Sequence, residues 1–199
     1  MKIHSSSIFF VARFLILTSV LALLVFNINR ATAGNEKPIR IDAGYSALKL
    51  FLEDEQHLTT IRWVKTIITF DGISDRSKQL IDEIADSSEQ ALVDLEQLAM
   101  LKPAIVFEEF PDESIGKATL DSLRMETARE FLIHTDDFEK SLLISQSQIL
   151  PVIIHLARQL EEKETSSKRK AWLNKLAIRY EHYYQQVYAR IGVVAKEKA

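Results

Sequence analysis

Residues 120–160 read LDSLRMETAREFLIHTDDFEKSLLISQSQILPVIIHLARQL. Leu120, Leu123, Thr127, Phe131, His134, Phe138, Leu142, Ser145, Ile149, Val152, Leu156 and Leu160 follow one another by threes and fours. That spacing keeps one stripe of a helix facing a neighbour, whereas a half-buried strand would alternate by twos. The stretch therefore predicts a long helix starting near Asp112, and two features could divide it. Thr135 can cap a new start, with Asp136 and Asp137 suited to a helix N-terminus. Pro151 lacks the N–H that would bond to residue 147, which favours a kink about one turn earlier. The prediction is one bent helix, or two segments if the chain breaks near residue 135 or 147.

The same signals extend on both sides. Upstream, PAIVFEEFPD (Pro103 to Asp112) forms the longest connection and is apolar enough to pack across a bundle. Before it, a helix is expected from Ser74, a good N-cap, to about Leu101, where Lys102–Pro103 stops it. Its seam reads Ile81, Ile84, Ser88, Ala91, Leu95 and Leu98. The first helix is expected from about Ser46 to Phe70. Leu50, His57 and Val64 form one seven-residue row, with Asp54, Ile61 and Ile68 beside it, and Asp71–Gly72 ends the run. Downstream, EEKETSSKRK (Glu161 to Lys170) reads as a polar loop that leads into a solvated helix start capped by Ser. The last helix should span about Lys168 to Ile191, with Leu173, Leu176, Tyr180, Tyr184, Val187 and Ile191 as its stripe.

Long helices that each carry one apolar stripe bury it by packing side by side. The expected fold is all-α, an up-and-down-like four-helix bundle with a longer crossover at 103–112. It has five helices if the third breaks. The bundle domain is expected over 46–191, between a flexible tail at 34–45 and a frayed end at 192–199. The chain has no cysteine, so disulfides, a bacterial lipoprotein anchor and covalently attached c-type haem are excluded, and stability rests on the apolar core.

Residues 1–33 differ from the rest. They carry Lys2, Arg13 and Arg30, no acid, and the apolar run FLILTSVLALLVF from Phe14 to Phe26. That run suits a signal-peptide core and is short of the roughly 20 residues that span a bilayer. Ala31-Thr32-Ala33 supplies an A-x-A signal with cleavage before Gly34. The expectation is an exported, periplasmic or extracellular protein, with an N-terminal membrane anchor as the alternative. Loss of the three basic groups takes the net charge from −3 to −6. An acidic balance argues against nucleic acid, whose phosphates need a basic surface.

Two stretches could carry chemistry. LFLEDEQHLTT (Leu50 to Thr60) and REFLIHTDDFE (Arg129 to Glu139) each hold Glu-x-x-x-His, as Glu53 with His57 and Glu130 with His134. His57 falls in an apolar row and His134 lies between Phe131 and Phe138, so both are expected to face inward. With Asp54 three residues before His57, the metal candidates are Asp54, His57, Glu130 and His134, a carboxylate and imidazole set that suits a transition metal. The architecture resembles ferritin-like carboxylate bundles, but their Glu-x-x-His pattern does not occur here. The plainer reading makes both histidines hydrogen-bonded core residues. No motif requires a cofactor.

The last helix is rich in tyrosine, in RYEHYYQQVYAR. Tyr183, Tyr184 and Tyr188, with Trp63 on the first helix, are the candidates for an interaction surface, because such rings combine apolar area with a polar tip. His155 is ambiguous and His182 is expected to be solvated. No phosphate loop, nucleophile elbow, H-E-x-x-H or Cys–His cluster occurs. The sequence points to a non-catalytic binding module of the cell envelope acting on a protein partner or on itself. The alternative is a metal-binding bundle with its site between the first and third helices.

Overall fold

A computed structural model describes residues 41–57, 73–107 and 137–197, together with Ala118 and Ser122. Among the described residues there are four long helices and no strand: α1 (Asp42–Gln56), α2 (Asp75–Ala99), α3 (Phe138–Lys163) and α4 (Ser167–Glu197). The all-α expectation holds, and none of these helices is long and apolar enough to cross a membrane.

Each helix starts for a local reason. Ser74 caps α2 as expected, its Oγ accepting from the Ser77 N–H at 3.4 Å. Asp137 caps α3, its Oδ1 accepting from the Lys140 N–H at 3.1 Å. Asp137 itself has a non-helical backbone, φ −130°. α3 therefore begins at Phe138 with Asp137 as its cap, and Thr135 lies outside the described residues. From there α3 runs through Pro151 without a break near residue 147. α2 ends at Ala99, short of Leu101, and Pro103 follows soon after.

The helices pack into a ring, with α1 against α2 and α3, and α4 against α3 and α2. Contacts at the helix ends give their directions. Tyr45, near the start of α1, bonds to Glu164 just after α3, and Arg190, late in α4, bonds to Ser74 before α2. Neighbours around the ring are thus antiparallel, while α2 and α3 run parallel. The end of α2 and the start of α3 lie at opposite ends of the bundle, separated by the length of a 25-residue helix, about 37 Å. Of the crossover expected at 103–112, residues 103–107 are described. Ile105 is buried, its N–H bonding to the Ala99 carbonyl at 2.9 Å, and residues beyond 107 lie outside this part of the description.

Several expected faces and limits shift. α1 begins at Asp42, four residues ahead of Ser46, and Tyr45, placed by sequence in the tail, is fully buried. Its inward row is Tyr45, Leu48, Leu52 and Glu55, whereas Leu50 and Asp54 are half-buried and His57 is an exposed turn residue. Both rows obey the helical spacing, and Tyr45 is the anchor that selects one of them. On α3 the buried row after Leu142 is Gln146, Leu150, Ile153 and Ala157, one position along from the expected row. α3 carries apolar residues on more than one face, so period alone does not choose between them. α4 keeps Leu173, Leu176, Tyr180 and Val187 in the core and remains helical to Glu197. Val194, in the stretch expected to fray, is buried. Gly44 lets α1 approach α3, because a Cβ there would sit 2.8 Å from Leu160 Cδ2.

Candidate functional site

Of the four sequence-predicted metal residues, Asp54 and His57 are among the described residues. Asp54 and His57 sit at the C-terminal end of α1, where they line a shallow open recess with Glu53 and Gln56. Glu53 is engaged by Lys49 at 3.2 Å, one turn back on the same helix. Glu130 and His134 lie outside the described residues, as does Trp63. No group of three His, Cys, Asp or Glu able to hold a metal occurs among the described residues. His155 and His182 are both exposed.

The tyrosines divide into two kinds. Tyr183 is half-buried and meets the core residue Tyr180 edge-on at 5.8 Å. Tyr184 is likewise half-buried against the core. Tyr188 stands outward, 66 % exposed, with its ring 6.3 Å from that of Tyr184.

Three buried polar clusters have a structure the sequence reading did not anticipate. The first closes the end of the bundle where α3 turns into α4. Arg169, expected to be solvated, is 0 % exposed. Its Nε donates to Glu164 Oε2 at 2.6 Å and its Nη2 to Oε1 at 3.1 Å. Its Nη1 reaches the carbonyls of Leu98, Leu101 and Pro103, at 3.4, 3.1 and 2.9 Å. Those carbonyls belong to the end of α2, where a helix leaves acceptors unmet. Tyr45 OH donates to Glu164 Oε2 at 2.6 Å, and the N–H groups of Thr165 and Ser166 donate to Oε1. One carboxylate thus ties α1, the turn and α4, while its arginine partner ties α2. Burial alone would raise the Glu164 carboxyl. The hydrogen bonds from Arg169, Tyr45, Ser166 and Thr165 outweigh it and bring the pKa down to about 2. Burial, followed by the bond to Glu164, pushes the Tyr45 phenol well above its usual range.

The second cluster lies at the opposite end. Glu139 Oε1 accepts from Ser74 Oγ and Ser77 Oγ, each at 2.6 Å, and from Arg190 Nη2 at 3.2 Å. Arg190 also donates to Ser77 Oγ at 2.9 Å and to Ser74 Oγ at 2.7 Å. Burial works to raise the Glu139 carboxyl, yet the bonds from Ser74, Ser77 and Arg190 hold it below its ordinary value. Ser74 therefore both caps α2 and joins this cluster. Ser74→Ala should cost about 1–2 kcal/mol in urea unfolding, the upper part of the range for a lost cap. A change within about 0.3 kcal/mol would show that neither the cap nor the cluster at Ser74 stabilises the fold.

The third cluster lies within the core. Ser88 Oγ lies 2.9 Å from the Ile84 carbonyl, to which it can donate, and shares a second hydrogen bond with the Tyr180 hydroxyl in which either oxygen can be the donor. Burial pushes the Tyr180 phenol well up. Nearby, Glu55 on α1 is 3 % exposed and Gln146 on α3 is 1 % exposed. Glu55 Oε2 and Gln146 Oε1 have no hydrogen-bond partner. Burial pushes the Glu55 carboxyl up to about 8, with Gln146 acting against the rise and Asp54 adding to it. The signal for this pair was present in the sequence. Glu55 continues the row from Tyr45, Leu48 and Leu52, and Gln146 stands four residues after Leu142.

Two of the clusters are structural closures with their charges mutually satisfied. The third holds a carboxyl that can exchange a proton. Comparison with protein-family models, with curated proteins and with solved structures returned no match.

Proposed function

We propose that this chain is an exported helical interaction module of the cell envelope that acts without catalysis, through the outer face of α4. The supporting observation is Tyr188. It stands largely in solvent beside Tyr184, while Tyr183 and Tyr184 pack back onto the core. A large ring held out from a rigid helix loses little conformational entropy when a partner covers it, and such rings are enriched among residues that dominate binding. The strongest charged groups at the two bundle ends are engaged with one another, which fits a scaffold that presents a surface. Export rests on residues 1–33, with their basic start, apolar run and A-x-A signal.

Tyr188→Ala should weaken association about tenfold while helicity and unfolding midpoint stay unchanged, because the residue contributes little to the core. Sedimentation would read self-association. A photo-crosslinking side chain at position 188, with position 89 on α2 as control, would read association with a partner in cells. Equal association of the variant, together with no adduct from position 188 beyond the control, would overturn the reading.

A further inference from the structure

We propose that Glu55 and Gln146 form a proton-binding couple across the α1–α3 interface. In it a neutral Glu55 carboxylic acid pairs with the Gln146 amide, and loss of the proton loosens α1 from the bundle.

Glu55 Oε2 and Gln146 Oε1 are buried oxygens without a donor. Leaving either one desolvated and unmet is costly. A single proton meets both needs. Placed on Oε2, it turns that oxygen into a donor, which Gln146 Oε1 can accept. The Gln146 amide nitrogen, within reach of the same carboxyl, supplies the return bond to its other oxygen.

The groups around Glu55 leave a proton as the natural counter-charge. On α1 the near neighbour is Asp54, a second acid. From α3 comes the neutral amide of Gln146. From α4 comes Tyr180, whose phenol burial holds neutral and which shares a hydrogen bond with Ser88 of α2. Arg179, the cation that acts on Tyr180, donates to Ser87 Oγ at 3.3 Å. Among the described residues no cation bonds to Glu55.

The sign of the effect follows from the raised carboxyl. Its ordinary pKa is 4.5, and in the folded chain it is about 8. Between those values the native chain holds a proton that the unfolded chain has released, so stability falls as pH rises through that window. Below 4.5 both states are protonated and the dependence disappears. α1 is the shortest of the four helices and carries Glu55 one residue from its end, so it is the element this proton restrains.

The test uses the full chain with carbonyl-¹³C glutamate. The Glu55 side-chain resonance, assigned through its own backbone, should titrate near pH 8. Gln146→Leu should move that midpoint. From pH 6.5 to 9 the wild-type folding constant should fall roughly thirtyfold more than that of Glu55→Gln, which carries a permanently neutral group. A Glu55 midpoint below 6 would overturn the proposal, and this reading needs no variant to fold. So would parallel pH profiles for the wild type and Glu55→Gln, or a midpoint indifferent to Gln146→Leu.

Discussion

Arg169→Ala should lower the unfolding free energy by about 3–5 kcal/mol, the range for breaking a buried ion pair by removing one partner. The side chain is wholly enclosed, so its truncation removes more than a charge. Glu164 would keep its ionised carboxyl in the interior with only Tyr45 and two backbone N–H groups to hold it. The carbonyls of Leu98, Leu101 and Pro103 would lose their shared donor at the end of α2. Arg169→Lys should recover little, because one ammonium cannot reproduce a fork that meets a carboxylate on one side and three carbonyls on the other. Urea unfolding at pH 7 measures the loss, and a change under 1 kcal/mol would remove the cluster from the account of stability. The acid limb offers a second reading. The folded Glu164 carboxyl, near 2, lies below its ordinary 4.5. Its contribution is complete above 4.5 and is lost as pH falls toward 2. Arg169→Ala lets that carboxyl rise, so the variant should show a shallower acid limb than the wild type.

The closure built on Arg169 also shows where sequence reasoning stopped. Ser74 and the seam of α2 were legible because a cap residue precedes an apolar row bounded by a proline, so several local signals agree. Leu173, Leu176, Tyr180 and Val187 were legible on α4 for the same reason of a single dominant stripe. Arg169 was not. It stands in SSKRK, surrounded by polar residues, and only the fold shows that Glu164, Tyr45 and the end of α2 converge on it. Its partners are distant in sequence, except for Glu164, and no local pattern encodes such convergence. The expected metal half-site on α1 illustrates a different obstacle. Asp54 and His57 fit a helical row as well as Leu52 and Glu55 do, and the choice turned on whether Tyr45 belonged to the tail or to the helix. A single large ring, buried at the start of α1, settled the rotation. Glu55 rather than Asp54 then became the inward acid.

That rotation can be measured directly. Leu52 is 0 % exposed on the inward row of α1, two residues from Leu50, which the sequence placed in the seam and the structure leaves half-buried. Two residues along a helix is about 200° of rotation, so one truncation opens the core and the other trims its margin. Leu52→Ala should cost about 2–5 kcal/mol through lost transfer energy and the cavity left behind. Leu50→Ala should cost about 1 kcal/mol, because water reaches the vacated space and replaces part of the lost contact. Both substitutions put alanine into a helix in place of leucine, so helix propensity nearly cancels between them. The difference in urea midpoints at equal slope therefore reports which face of α1 meets the bundle. A larger loss for Leu50→Ala would turn α1 over. It would return His57 and Asp54 to the interior and place Glu55 in solvent, and the proton couple with Gln146 would fall with that result.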